Sequence, residues 1–472
     1  MKPQCPVFRR CGGCQLLDMD YPAQLKAKQR RVEALLGRFG AVQPIRGMET
    51  PYHYRNKVLA SFAEGRGGAI ESGVYQAGTR RVVPVSACLI NDAAADRIIG
   101  TVRDLLRSFR LKPWDPRTGR GFLRHVLVKR GFATNEVMVV LVAANTLFPA
   151  KNFTAALRKA HPEITTVVLN LNSRRTAVVL GERERVLYGP GYIEDELCGC
   201  RFRISAKSFY QVNPVQCAVL YNLALDCAQI TAQDTVIDAY CGIGTIGLIA
   251  AKRAGQVIGV ENNREAVRDA IANARQNHAK NIRFLCADAT GFLEAMAADG
   301  GHADVLFMDP PRAGSTQRFL EAVAAVGPRR VVYISCNPET QARDLAWLCP
   351  LGYSVQRIQP VDMFPHTTHV ETVVLLSKGE IDSKKVRVEF SLEDVDMSGF
   401  QKGATYEQIK AYVLEKHGLK VSSLYISQVK RKCGLEIGQN YNLSKKEDAK
   451  VPQCPLEKEE VIIDALKHFQ II

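Results

Sequence analysis

The sequence predicts an α/β protein whose second half is a doubly wound, largely parallel sheet, and three observations carry that reading. From Thr235 onward, short apolar strands (VIDAY, QVIGVE, IRFLCA, ADVLFMD and RVVYISC) alternate with segments long enough to hold crossover helices. The first strand runs into a glycine-rich turn, DAYCGIG, and GLIAAKR continues as helix. Acidic residues Glu261, Asp288 and Asp309 then follow the next three strands, at the sheet edge where such folds place ligands. Two further strands, YSVQRIQPVDM and VETVVLL, come without an intervening helix and are expected to form an antiparallel edge pair.

The earlier elements follow from periodicity. Tyr21 to Phe39 is expected to be helical, because Leu25, Val32, Leu35 and Leu36 recur at helical spacing while Lys26, Lys28, Arg30 and Arg31 lie elsewhere on its surface. The run HVLVKR, EVMVVLVA, FTAALRKA, TTVVLNLN reads as strand, strand, helix, strand from Arg124 to about Val179. Pro and Gly at 189–191 punctuate it. The expected organisation is a basic region at 1–95, a central α+β domain at 96–200, the doubly wound domain at 201–378 and an extension at 379–472. In that extension one amphipathic helix stands out, around Tyr406 to Lys416, with a basic triplet at Lys430, Arg431 and Lys432.

Composition narrows the classes. The 472 residues carry 63 Lys plus Arg against 48 Asp plus Glu, a net charge of +15, with ordinary hydrophobic content. Such an excess suits a polyanionic partner. The longest apolar run, Val137 to Ala144, is far too short to span a membrane. No leader-like stretch precedes Cys5, so a cytoplasmic location is expected, and with it ligand or nucleophile roles for cysteines rather than disulfides.

The glycines of CGIGTIG alone leave two ligands open, since Gly242, Gly244 and Gly247 also satisfy the GxGxxG of dinucleotide folds. The acids tilt the choice. Glu261 stands where a carboxylate accepts both ribose hydroxyls, Asp288 where one binds an adenine amino group, and Asp309 opens DPPR, a sequence characteristic of S-adenosylmethionine enzymes. One strand later Cys336, in YISCNP, sits among turn-forming residues where the pocket should open, unlike Cys227, Cys286 and Cys349, which fit buried small hydrophobes. A thiolate there can add to carbon 6 of uracil and move electron density to carbon 5, dividing a hard alkylation into easier steps. Carbon 5 then holds both a methyl group and a hydrogen, and Glu371 is the candidate base that removes the proton. Arg312 and Asn337 are both candidates to donate to the oxygen on carbon 4.

These segments resemble the RNA uracil-5-methyltransferases, on FYQVNPVQ, DAYCGIGTIGL, the VE at 260–261, DPPR, YISCNP and HVETVVLL, across roughly residues 1–378. The resemblance implies a Rossmann-like methyltransferase domain in which Gln211, Tyr240, Glu261 and Asp309 contact S-adenosylmethionine, Cys336 is the nucleophile and Glu371 the base. Many relatives carry a small N-terminal β-barrel, for which Cys5 leaves no room here.

Cys5, Cys11 and Cys14 form C-x5-C-x2-C, with Cys88 the natural fourth ligand. Structural zinc and a [4Fe–4S] cluster are the two metal readings, and three close cysteines with one distant favour the cluster. The resemblance then implies the iron–sulfur-containing bacterial branch that modifies 23S rRNA, with the cluster bracing an N-terminal iron–sulfur region. Structured RNA is the expected partner, 23S rRNA first and transfer RNA as the alternative; no membrane or obligate protein partner is implied. A uracil in folded RNA must be flipped out of its stack. The helix at 24–31, Tyr52, Tyr54, Arg55 and Lys57, with Phe122 and Arg124, are the candidate RNA contacts.

Overall fold

The computed structural model describes residues 5–76, 78–79, 81–176, 178–379, 406–433 and 454–469. The chain divides into two units, Met1–Asp382 and Ser383–Ile472.

The first unit opens with a helical turn, α1 (Phe8–Cys11), and α2 (Tyr21–Leu36). Gly37 ends α2 short of Phe39, its N–H reaching Glu33 O at 2.9 Å. Strands β1 (Lys57–Glu64), β2 (Ile70–Tyr75) and β3 (Val82–Pro84) precede α3 (Ala93–Ser108). Then come β4 (Leu123–Arg130), β5 (Val137–Ala143), α4 (Ala150–Ala160), β6 (Ile164–Leu171) and β7 (Arg183–Tyr188), the strand, strand, helix, strand run that the sequence predicts with one more strand after it. All seven strands form one sheet in the order β3-β2-β1-β4-β5-β6-β7, with β5 and β6 its parallel pair. The unbroken apolar run of β5 is buried along its whole length, because both faces of the sheet are covered there. On one face α3 and α4 bury Ile98, Val102, Leu106, Phe153 and Leu157.

A hairpin, β8 (Tyr192–Leu197) and β9 (Cys200–Ser205), turns through Cys198 and Gly199, both at positive φ. Helix α5 (Pro214–Ala228) leads into the doubly wound part: β10 (Thr235–Ala239), α6 (Thr245–Ala251), β11 (Gln256–Glu261), α7 (Arg264–Gln276), β12 (Ile282–Cys286), α8 (Ala289–Ala298), β13 (Val305–Met308), α9 (Gln317–Val326), β14 (Arg330–Ser335) and α10 (Pro338–Leu348). It closes with β15 (Tyr353–Val361) and β16 (Glu371–Lys378). Strand order is β12-β11-β10-β13-β14-β16-β15. The expected antiparallel pair is present, and β16 lies inside it, antiparallel to both β14 and β15. That insertion pairs Thr372 with Ser335. Glu371 and Cys336, 35 residues apart in sequence, are therefore brought to the same end of neighbouring strands.

Helix α2 packs Val32 and Leu36 into the core of this doubly wound part. The fold is thus Rossmann-like with additional α/β structure. The expected N-terminal iron–sulfur region is not evident, since among the described residues no group of three or more His, Cys, Asp or Glu side chains is placed to hold a metal ion.

In the second unit α11 (Tyr406–His417), α12 (Ser423–Lys432) and α13 (Leu456–His468) enclose Ile409, Val413, Ile426, Val429, Ile462 and Leu466. Of these helices the sequence predicts α11. Helix α12 is capped by Ser422, whose hydroxyl accepts from Tyr425 N at 3.3 Å. The basic triplet 430–432 forms the last turn of α12, at the negative end of the helix dipole. Lys432 pairs with Glu459 of α13 at 2.6 Å. Among the described residues no helix is long and apolar enough to cross a membrane.

Candidate active site

The carboxyl ends of β10, β11, β13 and β14 converge on one site. After β10, Tyr240 takes a positive φ of 65° and packs its ring 5.2 Å from Phe319. Gly242 follows at φ 56°, and no protein atom stands within 4 Å of where its Cβ would be. That open space lets a ligand approach the backbone. Gly244 is tight instead, since a Cβ there would meet the Phe284 ring at 2.5 Å.

Glu261, at the end of β11, accepts from Gly242 N at 3.1 Å and from Asn263 N at 2.8 Å, and both oxygens keep lone pairs for a diol. Asp288 caps α8, accepting from Gly291 N at 2.9 Å, and is exposed at the rim. Beneath the loop Asp238 accepts from Gly247 N at 2.7 Å, and burial pushes its carboxyl up to about 7. Gln211 is buried near Tyr221, which also feels the charge of Asp309. An open glycine turn, a carboxylate with lone pairs to spare and a flanking aromatic fit S-adenosylmethionine, whose adenosine and amino-acid ends need such groups.

The candidate reacting groups lie beside this loop. Glu371 is buried, and its carboxyl is pushed far up, first by burial and then by the negative charge of Asp309. Burial raises Asp309 as well. Cys336 is also raised, by burial first and then by Glu371, while the neighbouring Arg312 guanidinium pulls it down. Arg312 thus serves both groups, since it also favours the ionised form of Glu371.

The geometry separates two residues that sequence leaves equivalent. Asn337 is committed to structure: its Oδ1 caps α10 at Glu339 N, and its Nδ2 donates to Arg312 O at 3.1 Å. Arg312 instead acts on the Cys336 thiol, pulling it down.

Several expected RNA contacts are core. Lys28 is 2% exposed and donates to Asp362 at 2.5 Å and to Phe364 O at 3.0 Å, so this part of the basic helix braces the fold. Tyr54 is buried, donating to Pro365 O at 2.9 Å. Phe122 and Arg124 are buried too. Tyr52 stacks on His366 at 4.8 Å, and Arg31 reaches Glu339 at 2.9 Å. Arg55 and Lys57 border the cysteine-lined cavity described next. Cys286 is exposed rather than a core residue, whereas Cys227 is buried. Phe209, two residues before Gln211 in the FYQVNPVQ segment, leaves a large apolar side chain 64% exposed.

Cys5, Cys11, Cys14 and Cys88 border a cavity of about 300 Å³ whose wall also includes Val58, Val74, Leu89 and Ile99. Cys14 is pushed up to about 12 by burial first and then by Cys88, Cys11 and Cys5; burial raises Cys88 as well. Among the described residues no metal-holding group of three or more His, Cys, Asp or Glu is found. The [4Fe–4S] cofactor, the metal-ligand roles of these four residues and the likeness to the iron–sulfur-containing 23S rRNA branch are corrected accordingly; what stands is the broader likeness.

Residues 178–379 match the family described as tRNA (uracil-5-)-methyltransferase. An RNA methyltransferase of Halalkalibacterium halodurans is 44% identical over 378 residues, covering 79% of this chain and 82% of the relative. One from Listeria monocytogenes is 41% identical over 382 residues, covering 80% and 84%. Among solved structures, the Pyrococcus abyssi tRNA (uracil-54, C5)-methyltransferase in complex with S-adenosyl-L-homocysteine aligns with a TM-score of 0.65 at 26% identity, covering 79% of this chain and 87% of that one. With the geometry of the site, these likenesses place the chain in the RNA uracil-5-methyltransferase family, enzymes that use S-adenosylmethionine to methylate carbon 5 of uracil in structured RNA.

Proposed function

We propose that the chain methylates a uridine of transfer RNA through a covalent Cys336 adduct. The observation that carries the mechanism is the convergence of Cys336, Arg312 and Glu371 at the paired ends of β14 and β16. Tyr240, Glu261, Asp288, Gln211 and Asp309 would hold S-adenosylmethionine, which supplies the methyl group when bound.

Arg312 stabilises the Cys336 thiolate, whose sulfur forms a bond to carbon 6 of the flipped uracil. The electron pair of the carbon 5–carbon 6 double bond moves toward carbon 5 and the carbon 4 oxygen, where the Arg312 guanidinium can donate. Once carbon 5 is methylated, Glu371 accepts the proton from that carbon. The pair left behind re-forms the double bond and expels the Cys336 thiolate. Glu371 must be ionised to act, and Arg312 is the group that opposes its burial.

The expectation of 23S rRNA rests on the cluster. Without that support, the matched family and the Pyrococcus abyssi enzyme, both described by transfer RNA, favour the alternative. Mapping 5-methyluridine in transfer and ribosomal RNA, from cells with and without this chain, tests the reading. A site lost only from 23S rRNA would reverse the substrate assignment, and no lost site in either RNA would reject both.

A further inference from the structure

One end of the seven-stranded sheet carries an arginine cluster that the proposed chemistry does not use. It is built from two loops, 115–121 (DPRTGRG) and 173–182 (SRRTAVVLGE), and from the start of β7. Arg117, Arg120, Arg174, Arg175 and Arg183 are all exposed there, and the loops contain no lysine. Asp115 matches Arg117 at 3.3 Å, and Glu182 matches Arg174. Among the described residues Arg120, Arg175 and Arg183 have no ion-pair partner.

The two loops are fixed to each other from inside. Arg124, 5% exposed, lies with its guanidinium carbon 4.3 Å from the Trp114 ring at the base of the first loop. Its Nη1 donates to Asn172 O and Arg174 O, both at 2.7 Å, on the second loop, and Nη2 reaches Thr176 O at 3.4 Å. Its Nε, by contrast, is buried without a partner among the described residues. Asn172 closes the second loop by donating to Val178 O at 2.7 Å and Val179 O at 2.9 Å. Arg175 Nη2 lies 3.5 Å from where a Cβ of residue 119 would stand, so the two arginine-bearing loops touch. Arg183 borders a groove of about 320 Å³ with Asn145, Thr146 and Ser173 at the same sheet end. A merely solvated charged face has no need of a buried guanidinium to hold its backbone, because desolvating that ion is costly.

The cluster also connects to the active-site side. Val179 and Leu180 pack against the core that contains Phe202 and Tyr210. Lys207, two residues before Phe209, donates to Glu182 O at 3.1 Å and to Glu265 at 3.2 Å, just past Glu261. Arginine forks suit phosphate oxygens, which they bind in pairs of parallel bonds.

We propose that Arg120, Arg175 and Arg183, on loops cross-braced by Arg124, form a phosphate-binding surface that holds the body of a structured RNA while one uridine enters the pocket. This rests on the reading of the chain as an RNA uracil-5-methyltransferase.

The test is the triple variant Arg120→Gln, Arg175→Gln, Arg183→Gln, with the double variant of the ion-paired arginines, Arg117→Gln, Arg174→Gln, as control. Affinity for an unmodified transfer RNA is measured across a salt series, together with methylation of that RNA and of a short single-stranded oligouridine. Each lost phosphate contact makes the log–log salt slope shallower by about one, so the triple variant is expected to lose about three. Its KM for folded RNA should rise at least about tenfold, with kcat, S-adenosylhomocysteine binding and the oligouridine KM unchanged. The control should lose less than about one in slope. An unchanged slope in the triple variant overturns the proposal, as does an equal rise in KM on the oligouridine, which would mark a general field effect. A wild-type chain that binds folded RNA with the expected slope yet methylates none would count against the uridine-methylation reading alone, because the binding series does not depend on turnover.

Discussion

Cys14, in the cavity it borders with Cys5, Cys11 and Cys88, and Cys336, beside Glu371 and Arg312, are both partly buried thiols raised by burial, yet their charged neighbours differ. Cys14 sits among other cysteines in a largely aliphatic wall bordered by Arg55 and Lys57, and the pull of Arg55 is weaker than burial and than each of three like groups. Cys336 feels the Arg312 guanidinium, which pulls it down, and the Glu371 carboxyl, which raises it and is the base of the proposed mechanism. Burial alone makes a thiol inert, and a directed cation makes it a nucleophile. A cysteine's spacing says less about its role than the charge of whatever touches it.

The contrast breaks first at Cys336. Cys336→Ala should lower methylation of transfer RNA by about 10⁴-fold or more, as loss of a nucleophile does elsewhere; radiolabelled methyl transfer reads it. Glu371→Gln should cost about 10²–10⁴-fold in turnover while still permitting adduct formation. Arg312→Gln should reduce kcat by roughly ten- to a hundredfold, the lower part of the range for a lost charge-stabilising donor. It should also move alkylation of Cys336 by iodoacetamide to higher pH. Cys14→Ala sharpens the comparison from the other side. In its folded fraction kcat should stay within about twofold of wild type, because no reacting group touches that cavity; a loss comparable to Arg312→Gln would dissolve the distinction.

The smallest expected effect is on stability. Asp238, Asp309 and Glu371 all have folded pKa values above their unfolded ones. Such carboxyls bind more protons folded than unfolded, so stability is full below the unfolded values near 4 and falls as pH rises through the folded values, about 7 for Asp238. Calorimetry should show a higher Tm at about pH 5.5 than at about pH 8. Glu371→Gln removes one of the three groups and should narrow that difference, by on the order of 3 °C. A Tm difference of the opposite sign would show that these acids are ionised at little cost.

Much of the doubly wound part is legible in the sequence because each strand end carries its own chemistry: glycine at 242, acids at 261, 288 and 309, and a thiol at 336. The pairing that matters most is not. Sequence places Glu371 at the start of an edge strand, but only the insertion of β16 between β14 and β15 brings it beside Cys336. A basic residue reads as surface by default, and Lys28 departs from that because its partner Asp362 lies 334 residues away. Arg124 departs in the same way, since a buried arginine looks like an exposed one until its carbonyl partners are known. The tail's second and third helices escape notice because their apolar faces are completed only by packing within that unit.

The most direct measurement is mass spectrometry of the Glu371→Gln protein after incubation with S-adenosylmethionine and an unmodified transfer RNA, followed by nuclease and protease digestion. The expected product is a denaturation-resistant protein–RNA species that carries one transferred methyl group, with the nucleotide attached to the peptide containing Cys336. A nucleotide attached through Cys14 or any other residue would contradict it, and so would undiminished methylation by Cys336→Ala with no covalent species formed.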